Sequence, residues 1–235
     1  MTVQRLKDRI ALITGASRGL GRAVALAFAS EGAHVLLLAR GMTNLGRVDD
    51  DIRAKGGTAN LIPLDLTDGA AIDALGPSLY ERFGRLDVLV GNAAILGALS
   101  PLPHIKSEHW ERVFATNITA NWRLIRTLDP LLRASDAGRV IFVTSNVARS
   151  ARAYWAPYYV SKAALECLAR TYANETADTA IKVNLLDPGA VATGMRAEAY
   201  PGEDPATLRT PEEVTEAFVA LAMASYDKTG QILDA

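Results

Sequence analysis

Tyr158 and Lys162 are the two residues of this sequence best spaced to do chemistry together. They stand four apart in Tyr158-Tyr159-Val160-Ser161-Lys162, at the start of a run with helical period. Val160, Ala163, Ala164, Cys167, Leu168 and Tyr172 recur at three- and four-residue steps. Positions four apart on a helix lie one above the other. An ammonium beside a phenol stabilises the phenolate, so Lys162 is expected to lower the Tyr158 pKa from about 10. A tyrosine tuned in this way exchanges protons near neutral pH. Tyr159 is also a helical neighbour of Lys162, so helix geometry alone leaves two candidates. The periodic apolar residues are expected to face the core, with Cys167 as core filler.

A proton donor needs something to act on, and the N-terminal third supplies a candidate cofactor site. Ile10 to Ile13 is a short branched apolar run that reads as a buried parallel strand. Thr14-Gly15-Ala16-Ser17-Arg18-Gly19-Leu20-Gly21 follows, then a helical stretch from Arg22 to Ser30 closed by Gly32, then a second buried strand from His34 to Ala39. Strand, glycine-rich turn, helix and strand form the unit that binds dinucleotides. Glycines let the backbone approach the pyrophosphate, and the helix N-terminus offers free N–H groups and positive dipole. No Gly-Lys-Ser/Thr follows, which excludes a P-loop.

In such a fold an acid at the end of the second strand binds the ribose 2′-hydroxyl. Here the strand ends in Ala39-Arg40, and Arg18 adds a second guanidinium in the glycine turn. Two guanidiniums suit a 2′-phosphate. The expected cofactor is therefore NADP(H) rather than NAD(H).

The Thr-Gly-x-x-x-Gly-x-Gly arrangement resembles the short-chain dehydrogenase/reductase family. The resemblance implies a single doubly wound Rossmann-type α/β domain, residues 1–235, with a seven-stranded parallel sheet. Further motifs along the chain fit it. Asp65-Leu66 stands where family members set an aspartate against the adenine amino group, and Asp68 reads as the cap of the next helix. Asn92-Ala93 keeps the centre of the family's Asn-Asn-Ala-Gly, while Gly91 and Ala94 depart from it. Small residues there are expected to let the backbone approach the cofactor ribose. Asn117 matches the helix-interior asparagine whose carbonyl holds a water linked to the active lysine; Asn121 does not align with that role. Ser145 lies thirteen residues before Tyr158, the family spacing between catalytic serine and tyrosine, and this selects Tyr158 over Tyr159. Pro188, Gly189, Val191 and Thr193 match the segment beside the nicotinamide. Ser17, Leu20 and Leu66 complete the expected cofactor contacts. Asp187 is not typical before the Pro-Gly.

The resemblance therefore implies a catalytic set of Asn117, Ser145, Tyr158 and Lys162. It also implies an NADPH-dependent oxidoreductase moving a hydride between nicotinamide and a carbonyl or alcohol. Leu96, Leu99, Tyr154, Trp155 and Met195 are candidates for an apolar substrate pocket, and His104 lies in a loop able to see substrate. Residues 194–210 read as a substrate lid. A reductase of 3-oxoacyl carrier protein is an alternative, as is a non-catalytic NADPH-binding sensor or scaffold. A nucleotide-sugar epimerase or dehydratase needs a larger C-terminal substrate region.

The other elements expected are helices at Met42–Lys55, Gly69–Phe83, Ser107–Ala134, Tyr158–Ala177 and Pro211–Ala224. Strands are expected at Leu61–Leu64, Leu86–Val90, Arg139–Thr144, Ile181–Leu186 and Thr229–Leu233. Ser107 and Thr210 are N-cap candidates, with Pro211 at the first helical position. Of the 235 residues 49% are hydrophobic, enough for one substantial core. Lys and Arg number 25 against 26 Asp and Glu, which argues against a nucleic-acid surface or a polybasic membrane anchor. Met1 to Arg9 lacks the apolar stretch of a secretory signal, no apolar run reaches membrane-spanning length, and a lone cysteine fits a reducing compartment. A cytoplasmic protein is expected. No His, Cys or acidic cluster has metal-ligand spacing. The two long helices are expected to pair with their copies in a homodimer or homotetramer, with Trp122 as a contact or core residue.

Overall fold

The computed structural model describes residues 4–235, so Met1 to Val3 of the N-terminal stretch lie outside it. The chain alternates strand and helix. Strand β1 (Ile10–Thr14) leads into helix α1 (Gly19–Ser30), β2 (His34–Ala39) into α2 (Met42–Ala54), and β3 (Thr58–Pro63) into α3 (Gly69–Phe83). Then come β4 (Val88–Gly91), α4 (Ser107–Phe114), α5 (Ala120–Arg133), β5 (Arg139–Val143), α6 (Ala156–Glu175) and β6 (Lys182–Asp187). Two short helices, α7 (Gly194–Ala199) and α8 (Thr215–Ala222), precede the last strand, β7 (Ile232–Asp234). All seven strands are parallel, in the order β3-β2-β1-β4-β5-β6-β7.

Strand alternation splits the core into two layers. Ala11 and Ile13, Val35 and Leu37, and Val88 and Val90 face α1, α2 and α8. Leu12, Leu36, Leu38 and Leu89 face α3, α5 and α6. Strands β1, β2, β4 and β5 are thus apolar on both faces, and that is why each reads as a hydrophobic run. The order reverses between β1 and β4, so the connections leaving these strands diverge and open a crevice at their carboxyl ends.

Several expectations need correction. The third strand begins three residues earlier than the Leu61 to Leu64 apolar run and ends at Pro63. It is the sheet edge, and two of the three residues in its first half, Thr58 and Asn60, are polar. Thr58 and Asn60 are held by the His34 ring, at 2.8 and 2.9 Å, so hydrophobicity does not mark them. Helix α1 starts at Gly19, not Arg22, and takes in the last two glycines of the turn. The stretch from Ser107 to Ala134 is interrupted by a π-helical turn at Ala115–Thr119. Lys106, not Ser107, is the N-cap of α4, and no side chain caps it. The expected helix from Pro211 opens as a 3₁₀ turn at Glu212–Val214 before α8. Pro211, not Thr210, is the N-cap of that turn, while the Thr210 hydroxyl accepts from Glu213 N–H at 3.4 Å and its own N–H donates to the Glu213 carboxylate. Asp68 caps α3 by accepting from Ala71 N–H at 3.0 Å.

The largest correction concerns α6. Its buried face is Tyr159, Lys162, Leu165, Glu166, Ala169, Tyr172 and Ala173. The apolar stripe expected inside is largely outside: Val160 is 43% exposed, and Ala163 and Cys167 are exposed. Two ionisable side chains take the inner places because each finds a partner there. Lys162 donates to the Val143 carbonyl at 2.6 Å, and Glu166 accepts from the Thr144 hydroxyl at 2.8 Å. A paired polar group tolerates burial that an unpaired one does not. Trp122 is also on the surface, 43% exposed, beneath the Arg123 and Arg126 guanidiniums. Among the described residues no helix is long and apolar enough to cross a membrane.

Candidate active site

A cleft of about 980 Å³ runs along the carboxyl ends of the central strands. Gly15, Ser17, Arg18, Gly19, Leu20, Gly21, Arg40, Asp65, Leu66, Asn92, Ala93, Pro188, Gly189, Val191 and Thr193 all line it, as do Ser145, Tyr158 and Lys162. Residues spread over most of the sequence therefore converge on one surface. Asn117 does not line the cleft; it is buried behind it.

The end of the cleft nearest α1 is shaped for a phosphate-bearing ligand. A Cβ on Gly21 would fall 2.3 Å from the Gly15 carbonyl oxygen and 2.5 Å from the Asn92 amide, so only glycine lets the turn close on β4. Asn92 locks that approach by donating to the Thr14 carbonyl at 2.8 Å, while the Thr14 hydroxyl accepts from Asn92 and Ala93 N–H, both at 3.0 Å. The turn delivers the N-terminus of the twelve-residue α1 into the cleft. Arg18 and Arg40 flank it, exposed, and neither has a carboxylate partner among the described residues. These features fit a dinucleotide carrying an additional phosphate. Asp65 sits across from them. Its carboxyl is held below the usual range, first by the Thr67 backbone N–H and also by the nearby Arg40 and Arg112 charges. Gly91 does not approach the ligand cleft as expected. It is buried, and a Cβ there would lie 2.4 Å from the Phe142 ring. Its small size serves packing.

Ser145 follows β5 in extended conformation and opens the turn Asn146–Arg149. Tyr158, one turn into α6, is half-buried with its ring 6.4 Å from that of Trp155. Tyr159 is 6% exposed and packs on Trp155, so the structure separates the two adjacent tyrosines into a cleft residue and a mostly core one. The Lys162 Nζ lies 5.6 Å from the Tyr158 ring centroid. Its effect on the phenol differs from expectation. Burial pushes Tyr158 above its ordinary value, and the negative charge of Asp187 and the neighbouring Tyr159 push the same way. Burial also pulls Lys162 down to about 8, with Asp187 opposing. The ammonium is turned to the Val143 carbonyl, and desolvation is the leading cause of the shift of the phenol.

Asn117 lies in the π-helical turn, 1% exposed. Its side-chain oxygen accepts from Ile95 N–H at 2.9 Å, and its amide donates to the Ile95 carbonyl and the Ser161 hydroxyl, both at 3.0 Å. Ser161 in turn donates to the Tyr158 carbonyl at 2.7 Å. Nothing in the local sequence distinguishes Ser161 from a helix-surface polar residue, yet it is fully buried and ties the helix carrying Tyr158 to the π turn. Asn121 donates to the Asn117 carbonyl at 2.8 Å, taking one of its two lone pairs. Behind the site, Arg149 bridges two buried carboxylates, Glu166 at 3.8 Å and Asp187 at 3.7 Å. Asp187 also accepts from Gly189 N–H at 2.9 Å, which fixes the start of the Pro-Gly turn. No local pattern marks Arg149 or Glu166, because their contact exists only once β5, α6 and β6 are packed.

Of the residues expected to form an apolar pocket, Leu96, Trp155 and Met195 line the cleft. Leu99 and Tyr154 do not: they are 38% and 61% exposed, turned to solvent. His104 is exposed and away from the cleft. Among the described residues no group of three or more His, Cys, Asp or Glu converges on a metal position.

A glycine turn, a cleft across the switch point and a serine and tyrosine on its floor agree with the sequence comparison. Residues 9–204 match the short chain dehydrogenase family. The chain belongs to that family. The uncharacterized oxidoreductase YciK of Escherichia coli strain K12 is 36% identical over 234 residues, covering 98% of this chain and 92% of that protein. A 3-oxoacyl-[acyl-carrier-protein] reductase of Synechocystis is 34% identical, covering 96% and 94%. A structure from Escherichia coli CFT073, solved in complex with NADPH, superposes with a TM-score of 0.95 at 36% identity, covering 100% of this chain and 99% of that one.

Proposed function

We propose that this short chain dehydrogenase reduces a carbonyl compound with a hydrophobic body, using NADPH. One observation carries the reading: Ser145 and Tyr158 share the cleft floor beside buried Lys162, against an apolar wall of Leu96, Trp155 and Met195. The cofactor choice rests on Arg18 and Arg40 without carboxylate partners, the missing acid after β2, and the relative solved with NADPH.

The bound dihydronicotinamide supplies a hydride. Gly15 to Gly21, with Arg18 and Arg40, would hold the phosphates; Asp65 and Leu66 would meet the adenine; Asn92, Ala93, Pro188, Gly189, Val191 and Thr193 would border the ribose and nicotinamide. Ser145 donates a hydrogen bond to the substrate carbonyl oxygen. Tyr158, kept as a phenol by burial, gives its proton to that oxygen as negative charge develops. An alkoxide is a far stronger base than a phenolate, so the raised phenol pKa still leaves the transfer downhill. The Lys162 ammonium then stabilises the phenolate. Asn117 serves as a positioning residue through Ser161, and its carbonyl is the group that would hold a relay water.

Residues 194–210 act as the lid. The segment is pinned by Ala192 N–H donating to the Arg209 carbonyl and by the Arg196–Glu203 ion pair at 2.5 Å. The exposed apolar stripe of α6 and Trp122 support assembly into a homodimer or homotetramer through the two long helices. A 3-oxoacyl thioester is the second substrate reading, favoured by the Synechocystis relative. Screening carbonyl compounds for NADPH consumption, with Tyr158→Phe alongside, tests the proposal. The variant is expected to bind NADPH and lose turnover. Retained turnover refutes the role of Tyr158, and a protein that binds NADPH but reduces nothing is a sensor or scaffold instead.

A further inference from the structure

Past Tyr158 the cleft opens into an aromatic chamber. Leu96, Trp155 and Tyr159 are its buried wall, and Val147, Met195 and Tyr200 pack against them. Arg152 lines the same cleft. Its guanidinium lies 5.7 Å from the Trp155 ring centroid and 5.5 Å from that of Tyr200, and it donates to the Tyr200 hydroxyl at 2.5 Å. Two left-handed residues that are not glycine, Ala151 at φ 46° and Tyr154 at φ 73°, bracket it. Such conformations are costly for residues with side chains and cluster at functional sites. Here they turn Tyr154 out to solvent while Arg152 and Trp155 face the cleft.

A second arginine nearby shows what is unusual about the first. The Arg196 guanidinium lies 3.8 Å from the Tyr200 ring centroid, and it is neutralised by Glu203 through two hydrogen bonds of 2.5 Å. Arg152 has no carboxylate within 4.0 Å among the described residues. One of its five N–H donors is used by Tyr200, and the exposed guanidinium lies beside two aromatic rings with no other protein acceptor among the described residues. A guanidinium tethered to Tyr200 on the rim of an apolar wall matches the two oxygens of a carboxylate. A single uncompensated cation balances one negative charge, whereas a phosphoryl group brings nearly two.

Resting on the carbonyl-reductase reading, we propose that the substrate's hydrophobic body ends in a carboxylate, bound by Arg152 on its Trp155–Tyr200 floor. The Arg152 guanidinium lies 5.7 Å from the Trp155 ring centroid and that ring 6.4 Å from the Tyr158 ring, which caps the reach from carboxylate to reacting carbonyl. A keto acid of short to medium length fits it.

The test uses two matched pairs of probes. Calorimetric titration of the NADPH-saturated enzyme compares phenylbutanoate with the neutral phenylbutanamide. The acid is expected to bind on the order of ten- to a hundredfold more tightly. Arg152→Gln should erase that difference, and Arg152→Lys should keep part of it. Equal binding of acid and amide, or a preference that survives in Arg152→Gln, overturns the proposal. In turnover, kcat/KM for benzoylpropanoate should exceed that for its methyl ester, with the ratio collapsing in Arg152→Gln. Equal reduction of acid and ester overturns the carboxylate site and leaves the reductase reading standing. Arg152-dependent binding of the acid without reduction of either ketone supports the site and refutes the reductase reading.

Discussion

Replacing Lys162 with methionine is expected to abolish turnover and at the same time stabilise the fold. Burial lowers the Lys162 pKa from 10.5 to about 8. A tenfold weakening of proton binding corresponds to about 1.4 kcal/mol, so holding the ammonium inside at pH 7 costs on the order of 3 kcal/mol. Methionine fills a similar volume and loses the bond to the Val143 carbonyl, worth about 1 kcal/mol. The net gain of about 2 kcal/mol raises the melting temperature by roughly 4–8 °C for a domain of this size. The pH dependence gives the sharper signature. The unfolded chain keeps the lysine proton up to about 10.5, the folded chain only to about 8. Between these values the unfolded state binds more protons, so wild-type stability gains from this group as pH rises. The gap between variant and wild type is therefore widest below pH 8 and closes toward pH 10.5. Paired thermal unfolding of both proteins across that range is the assay. A variant that melts no higher than wild type at pH 7, or a gap that does not change with pH, refutes the reasoning. The same titration limits activity: about nine tenths of Lys162 is charged at pH 7 and about one tenth at pH 9. With the ammonium required, kcat/KM falls about tenfold between them.

Asp187→Asn removes the only charge that raises the Lys162 pKa, so the alkaline fall in kcat/KM should begin below pH 8; an unmoved limb in the pH profile refutes the coupling. Arg40→Asp replaces an unpaired cation with the acid that NAD-binding relatives of this fold carry, and the ratio of NADPH to NADH turnover should drop at least tenfold. An unchanged ratio removes Arg40 from the cofactor site. Gly21→Ala forces a Cβ into the Gly15 carbonyl, and overpacking of this kind costs about 1–3 kcal/mol. Fluorescence titration should show NADPH affinity lost together with a lower melting temperature; normal affinity would mean the turn can move without consequence.

Much of the fold was legible because its signals are local. Parallel strands covered on both sides must be apolar throughout, which marks β1, β2, β4 and β5 directly. The glycines after β1 mark the turn because close backbone approach admits no other residue. The edge strand β3 was displaced because Thr58 and Asn60 break the apolar run in its first half. The helix through Asn117 read as continuous because a π turn adds one residue per turn without changing composition.

The face of α6 shows where local reading ends. Helical period correctly announced a helix, but two stripes compete for the inside, and hydrophobicity chose the wrong one. Lys162 and Glu166 face inward because the Val143 carbonyl and the Thr144 hydroxyl wait there, supplied by the end of β5, 19 and 22 residues earlier. The phenol pKa turned on the same packing: the spacing of Tyr158 and Lys162 announces a couple, while burial and Asp187 decide its direction.

Local pattern was enough for the strand–glycine turn–helix–strand unit and for the Tyr158–Lys162 pair, and the resemblance to the family supplied the doubly wound architecture and the place of Ser145, because backbone constraints and short spacings are written in neighbouring residues. It took the packed molecule to show which face of α6 is covered, how Arg149 joins Glu166 to Asp187, and which of two arginines near Tyr200 stays uncompensated. Those are properties of distances between segments far apart in the chain, and no local spacing encodes them.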